Sequence, residues 1–203
     1  IRDRSPSRGL GDVYKRQLLF YAGWELIIVG LLCVLFAFLY TTGPYPLSYN
    51  GWGDVLVIVF FGFVPVGGTY YVQALTWTSD TTVASLICGL LIDTLLVVNN
   101  YRDREADARS GKRTVIVRFG EKFGRYLYLM LGVAASLLCF WFFFEGHLFA
   151  ALLPLLYLIP HVLTWRRMVQ IHSGKKLNSI LGETSRNMLL MGILLSIGFL
   201  IRH

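Results

Sequence analysis

Cysteine is scarce in this chain: Cys33, Cys88 and Cys139 are the only three. Each sits inside an apolar run and none is near another in sequence. That excludes paired-cysteine zinc sites and a disulfide framework, and leaves three small buried hydrophobes. Histidine is equally thin. His147, His161, His172 and His203 are scattered, with no His-x₃-His pair for a metallohydrolase. Charged residues make up 15% of the chain, against about 25% in soluble domains. No internal repeat or low-complexity tract is present. The first seventeen residues have neither an apolar core nor a small-residue cleavage site, which excludes a signal peptide there.

What the chain has in abundance is apolar length. It is 55% hydrophobic, with a mean hydropathy of +0.58, and reads as an integral membrane protein. Apolar runs cover residues 18–40, 55–75, 82–98, 126–144, 148–165 and 188–201. Most reach the roughly 17–25 residues that cross a bilayer, and the last is short. The expected fold is therefore all-α, a multi-pass transmembrane bundle of about six helices.

Net charge +7 does not point to nucleic acid, because the basic residues mark alternate connections. Eight Lys/Arg fall between Arg102 and Arg125 and five between Arg166 and Arg186, whereas 76–81 and 145–147 have none. The positive-inside rule then predicts cytoplasmic loops at 99–123 and 166–187, together with the uncharged turn 41–53. Residues 1–17 break with the rest. They carry five Lys/Arg, two Ser, two Gly and one Pro with no apolar period. They resemble translated adaptor sequence and are expected to be a non-native extension before a membrane domain at 18–203. The alternative is a natural basic tail.

The most informative stretch follows the third run: Asn99-Asn100-Tyr101-Arg102-Asp103-Arg104-Glu105-Ala106-Asp107, then Gly111-Lys112-Arg113-Thr114. Asn99, Asp103 and Asp107 are spaced four and four, so on a helix they share a face with a drift of about 40° per step. Such a set of hard oxygens suits Mg²⁺, which binds through one or two carboxylates plus substrate phosphates. The other reading is a solvated loop in which Asp103 pairs with Arg102 or Arg104. Glu105 points about 160° away from Asp107 and is expected to be solvated.

This stretch resembles the second aspartate-rich motif of the UbiA superfamily of membrane prenyltransferases. The segments Tyr40-Thr41-Thr42-Gly43-Pro44-Tyr45-Pro46, Gly67-Gly68-Thr69-Tyr70-Tyr71-Val72-Gln73 and Val117-Arg118-Phe119-Gly120 resemble the branch that prenylates 1,4-dihydroxy-2-naphthoate for menaquinone biosynthesis. The resemblance implies nine helices around a cavity open to lipid, of which this chain would supply six. It also implies an earlier Asn-Asp-x₂-Asp-x₃-Asp motif, and no such string occurs in this sequence. The expectation is a chain that lacks three helices and is inactive alone. The implied reaction transfers a polyprenyl chain from polyprenyl diphosphate to dihydroxynaphthoate at a bacterial cytoplasmic membrane.

The implied site assigns Asp103 and Asp107 to Mg²⁺, with Asn99 as a third ligand. Lys112 resembles the diphosphate-contacting lysine. Arg109, Arg113 and Arg118 are further phosphate candidates, for which the positive-inside rule is an equal explanation. Asp93 lies inside an apolar run, where an acid is a functional candidate by default; it bonds either another helix or the acceptor ring. Tyr40 and Tyr45 either anchor at the membrane edge or line the acceptor pocket. Two alternatives stand beside this reading. One is another acceptor within the same superfamily, such as 4-hydroxybenzoate, homogentisate or a tetrapyrrole. The other is a transporter using Asp93.

Overall fold

The computed structural model describes residues 23–201. The expected extension 1–17 and the start of the first apolar run lie outside the described residues. Within them the chain forms six helices: α1 (Glu25–Thr41), α2 (Gly53–Ala74), α3 (Ser79–Arg109), α4 (Val115–Phe144), α5 (Leu148–Ile171) and α6 (Lys175–Leu200). The last five are long and apolar enough to cross a membrane. The fold is a multi-pass helical membrane bundle.

Helix α3 is the axis of the bundle and packs against α2, α4 and α6. Its start is set by Thr78, whose hydroxyl accepts from the Thr81 amide at 3.2 Å, with Asp80 in the first turn. Both features satisfy the exposed amides and the positive helix start. Its 31 residues make a rod of about 46 Å. That exceeds the roughly 30 Å of hydrocarbon, and the apolar part ends at Val98. The final turns therefore project beyond the membrane as helix, carrying the acidic motif with them.

This corrects one expectation. Residues 99–123 are not a loop: α3 runs to Arg109 and α4 begins at Val115 under a Thr114 cap. Only a short connection separates them. The expected loop 166–187 likewise shrinks, because α5 continues to Ile171 and α6 is already helical from Asn178. The polar residues that suggested a loop instead face a neighbouring helix. Glu183, Thr184 and Asn187 are buried, and Asn187 donates to Thr164 of α5 at 3.0 Å.

Helix α2 is irregular for a readable reason. Residues Ile58–Gly67 are π-helical, with Pro65 inside, and its glycines bring it hard against α3. A Cβ at Gly62 would lie 2.5 Å from the Ser85 carbonyl and 2.8 Å from Gly89 Cα. Helix α4 bends at Gly120, where φ is +88°, a conformation that favours glycine.

The core has two halves. Near the motif end, Val97, Val98 and Tyr101 of α3 pack with Ile116, Tyr128, Met168 and Ile180. Toward the opposite end, Ile87 and Leu91 pack with Phe142, Tyr157 and Met191. Between them His161 is fully buried, stacked on Tyr128 and Tyr157 and hydrogen-bonded to the Tyr157 hydroxyl at 2.9 Å.

Candidate functional site: the projecting end of α3

Asn99, Asp103 and Asp107 lie on consecutive turns of one continuous helix. The structure places a cation on each. The Arg102 guanidinium donates to Asn99 Oδ1 at 2.7 Å and to both Asp103 oxygens at 2.8 and 2.6 Å. It also reaches Asn178 Oδ1 at the start of α6, at 2.9 Å. Lys112 Nζ stands 3.4 Å from both Asp107 oxygens. Beyond the hydrocarbon, the hydrogen bond from Arg102, with the charges of Arg102 and Lys112, holds the Asp103 carboxyl below the usual carboxylate range.

Lys112 returns to the motif because the α3–α4 connection curls back. The Lys112 amide donates to the Asp107 carbonyl at 2.9 Å, and Gly111 has φ +78°. The turn 41–53 is docked onto this connection. The Arg113 amide donates to the Tyr49 carbonyl at 2.7 Å, and the Arg118 guanidinium donates to the Asn50 carbonyl at 2.8 Å. Arg118 is thus a tether between two segments. Arg109 and Arg113 have exposed side chains at the same end of the molecule.

The opposite face of α3 holds a separate ionic cluster. Glu121 of α4 receives Arg104, Arg125 and His172, and accepts from the Tyr101 hydroxyl at 3.0 Å. Two of the basic residues near the motif are therefore committed to joining α3, α4 and the end of α5. Glu105 is exposed.

Apolar space opens beneath the motif. A cavity of about 490 Å³ lies between α2, α3 and α6, lined by Asn99 together with Val57, Phe61, Leu96 and Leu181. A second, of about 630 Å³, lies between α1 and α2 and shares Val57, Phe61 and Leu96 with the first. Tyr40 lines that second cavity and also a small polar pocket with Asp54, Asn100, Lys112 and Thr114. Tyr40 thus stands at the seam between apolar and polar space, close to Lys112.

The remaining acceptor-pocket candidates are not gathered there. Tyr45 is 58% exposed. Asp93 is 1% exposed and does not line these cavities. Asp54 and Asn100 carry site character that the sequence reading passed over. Asp54 Oδ1 is buried without a hydrogen-bond partner among the described residues. The signal for Asn100 was its position beside Asn99, about 100° round the helix and so aimed at a different pocket.

The donor set tests well against a divalent metal in one respect. Asn99, Asp103 and Asp107 present hard oxygens on one face, and their field already holds a guanidinium and an ammonium. No third acid or imidazole converges on them among the described residues. That suits an ion completing its shell with phosphate oxygens, rather than one caged entirely by protein.

Sequence comparison finds relatives of this chain among known proteins. A 1,4-dihydroxy-2-naphthoate octaprenyltransferase of Haemophilus influenzae is 38% identical over 181 residues, covering 85% of this chain and 56% of the relative. One of Mycobacterium leprae is 44% identical over 117 residues, covering 58% and 40%. A UbiA prenyltransferase domain-containing protein 1 of Dictyostelium discoideum is 30% identical over 162 residues, covering 80% and 48%. The chain thus spans roughly half of these relatives' length or less. No solved structure matches it. The profile of the UbiA prenyltransferase family matches residues 17–197, which takes in the acidic motif and every helix up to the last turn of α6; the chain belongs to the UbiA prenyltransferase family.

Proposed function

We propose that this chain supplies the diphosphate-binding end of a membrane prenyltransferase that moves a polyprenyl chain from polyprenyl diphosphate to 1,4-dihydroxy-2-naphthoate. The observation that carries this reading is the Asn99–Asp103–Asp107 face with Lys112, standing at the head of two apolar cavities. A substrate with an anionic head and a long apolar tail matches that arrangement end to end. The names of the Haemophilus and Mycobacterium relatives support the acceptor.

In the reaction the allylic C–O bond breaks and its electron pair leaves with diphosphate. An electron-rich ring carbon of the naphthoate forms the new C–C bond, and the ring carboxylate departs as CO₂. Lys112, with Arg109 and Arg113, would balance the charge gathering on the leaving group. Asp103 and Asp107, with Asn99, would hold Mg²⁺, which would supply further stabilisation of that charge. Val57, Phe61 and Leu96 would keep water from the allyl cation. Tyr40, at the seam, would orient the acceptor. Arg102 keeps the Asp103 carboxylate ionised and in place. The expected location is a bacterial cytoplasmic membrane, with the motif end in the cytoplasm. A transporter would need Asp93 on an aqueous path, and its burial away from the cavities does not favour that.

The test is equilibrium binding of geranylgeranyl diphosphate to the purified chain in lipid nanodiscs, with Mg²⁺ or with chelator. Binding should require Mg²⁺ and fall by about tenfold or more in Asp103→Asn and Asp107→Asn, as each removes a charged ligand. Binding that is indifferent to Mg²⁺ and to both substitutions overturns the reading.

A further inference from the structure

Helix α6 has two working faces. Leu181, Gly182 and Ser185 border the cavity beneath the motif. Glu183 and Ser185 stand about 160° apart, and on the Glu183 side a different cleft of about 640 Å³ opens between α5 and α6. Arg166, Arg167 and Gln170 of α5 line it with Glu183, Arg186 and Asn187 of α6. Nothing in the prenyl-transfer reading uses it.

The cleft is graded along the membrane normal. Arg166, Arg167 and Gln170 are at the motif end of α5, while Pro160 and Leu163 line the cleft deeper in the membrane, Pro160 about 15 Å of helix rise below Gln170. On α6, which runs the other way, Leu190 is likewise deeper than Glu183 and Arg186. Three guanidiniums face one carboxylate. That carboxylate is already spent: Glu183 pairs with Arg167 at 2.5 Å and accepts from Thr164 at 3.4 Å. Asn187 completes the chain through Thr164. Arg167 is thereby fixed at the rim. Arg166 and Arg186 are exposed and have no ion pair or hydrogen bond among the described residues.

We propose that this cleft binds the headgroup phosphate of an anionic phospholipid. Arg166 and Arg186 hold the phosphate, for which the planar guanidinium fork is well matched. Leu163 and Leu190 receive the first methylenes of an acyl chain. A free anion would satisfy the arginines but gain nothing from the apolar floor. A zwitterionic lipid would fill the floor but bring its own cation to the arginines.

Native mass spectrometry of the purified chain in detergent, titrated separately with dioctanoyl phosphatidylglycerol, dioctanoyl phosphatidylcholine and inorganic phosphate, tests this. Phosphatidylglycerol should give a saturable adduct, weakened roughly tenfold or more by Arg166→Gln with Arg186→Gln and unchanged by Lys122→Gln, which removes an exposed charge of α4 that does not line the cleft. Wild-type binding should also weaken as ionic strength rises; that arm stands if the double variant fails to fold. Equal binding of phosphatidylcholine, an unchanged double variant that is folded, or salt-independent binding overturns the proposal. Inorganic phosphate binding as tightly as the lipid assigns the cleft to soluble anions and overturns the lipid assignment.

Discussion

Basic residues that look alike in the sequence have different work at this end of the bundle. Arg104 and Arg125 converge on Glu121, Arg118 ties down the 41–53 turn, and among the described residues Lys112 alone reaches the Asp107 carboxylate. These roles separate by experiment. Lys112→Ala should weaken diphosphate binding several-fold and leave thermal unfolding nearly unchanged. Glu121→Gln should do the reverse, because it leaves partly buried arginines without their carboxylate, a loss of about 1–3 kcal/mol. Unfolding and binding measured on both variants check this. If Glu121→Gln loses binding at full stability, the partition is wrong. The spacing of Asn99, Asp103 and Asp107 showed that they share a helix face, because the four-residue period is local. The pairing of Asp103 with Arg102 was one of the readings the sequence offered, but that Arg102 would also take Asn99 and reach Asn178, seventy-six residues away, was not. His161 gave no signal either, since its partners come from α4 and its own helix only once the bundle is packed.

At the scale of helices, α2 and α3 approach each other backbone to backbone. Gly62→Ala would push a methyl into the Ser85 carbonyl and Gly89, both rigid backbone, so the helices must separate. The expected cost is about 1–3 kcal/mol, read as a lower unfolding midpoint in a detergent–denaturant titration. Gly182→Ala, where a Cβ has nothing within 4 Å, should be neutral. The six helices were legible because a bilayer demands long apolar runs, and five of them are long enough to span one. The continuation of α3 was hinted at by the four-residue spacing of its motif, but those of α5 and α6 were not, because polarity at a membrane edge reads as loop. In α3 the extra turns project beyond the membrane. In α6 the polar residues point inward, where Glu183 and Asn187 find partners on α5. The π-helical stretch of α2 and the bend at Gly120 also escaped the sequence. Both arise from packing and backbone conformation, and neither changes the apolar pattern.

For the whole molecule, the six helices put the α1–α2, α3–α4 and α5–α6 connections at one end, and Trp77 and Glu145 at the other. On the positive-inside rule, the alternating charge leads us to expect the motif end in the cytoplasm. With Cys33 and Cys88 replaced by serine, cysteine at Ser110 should react with an impermeant maleimide only in inside-out vesicles. Cysteine at Glu145 should react only in right-side-out ones. The opposite pattern inverts the topology.

The overhang of α3 also makes the protein a gauge of the bilayer around it. The rod is fixed at about 46 Å while hydrocarbon thickness varies by several ångströms between membranes. Added thickness brings the carboxylate face closer to the headgroups. In a thin bilayer the diphosphate site stands clear of the surface, and the substrate's head must leave the headgroup layer to reach it. In a thick one, lipid phosphates crowd the site and compete for its cations. Diphosphate binding across phosphatidylcholines of increasing acyl length should therefore pass through a maximum.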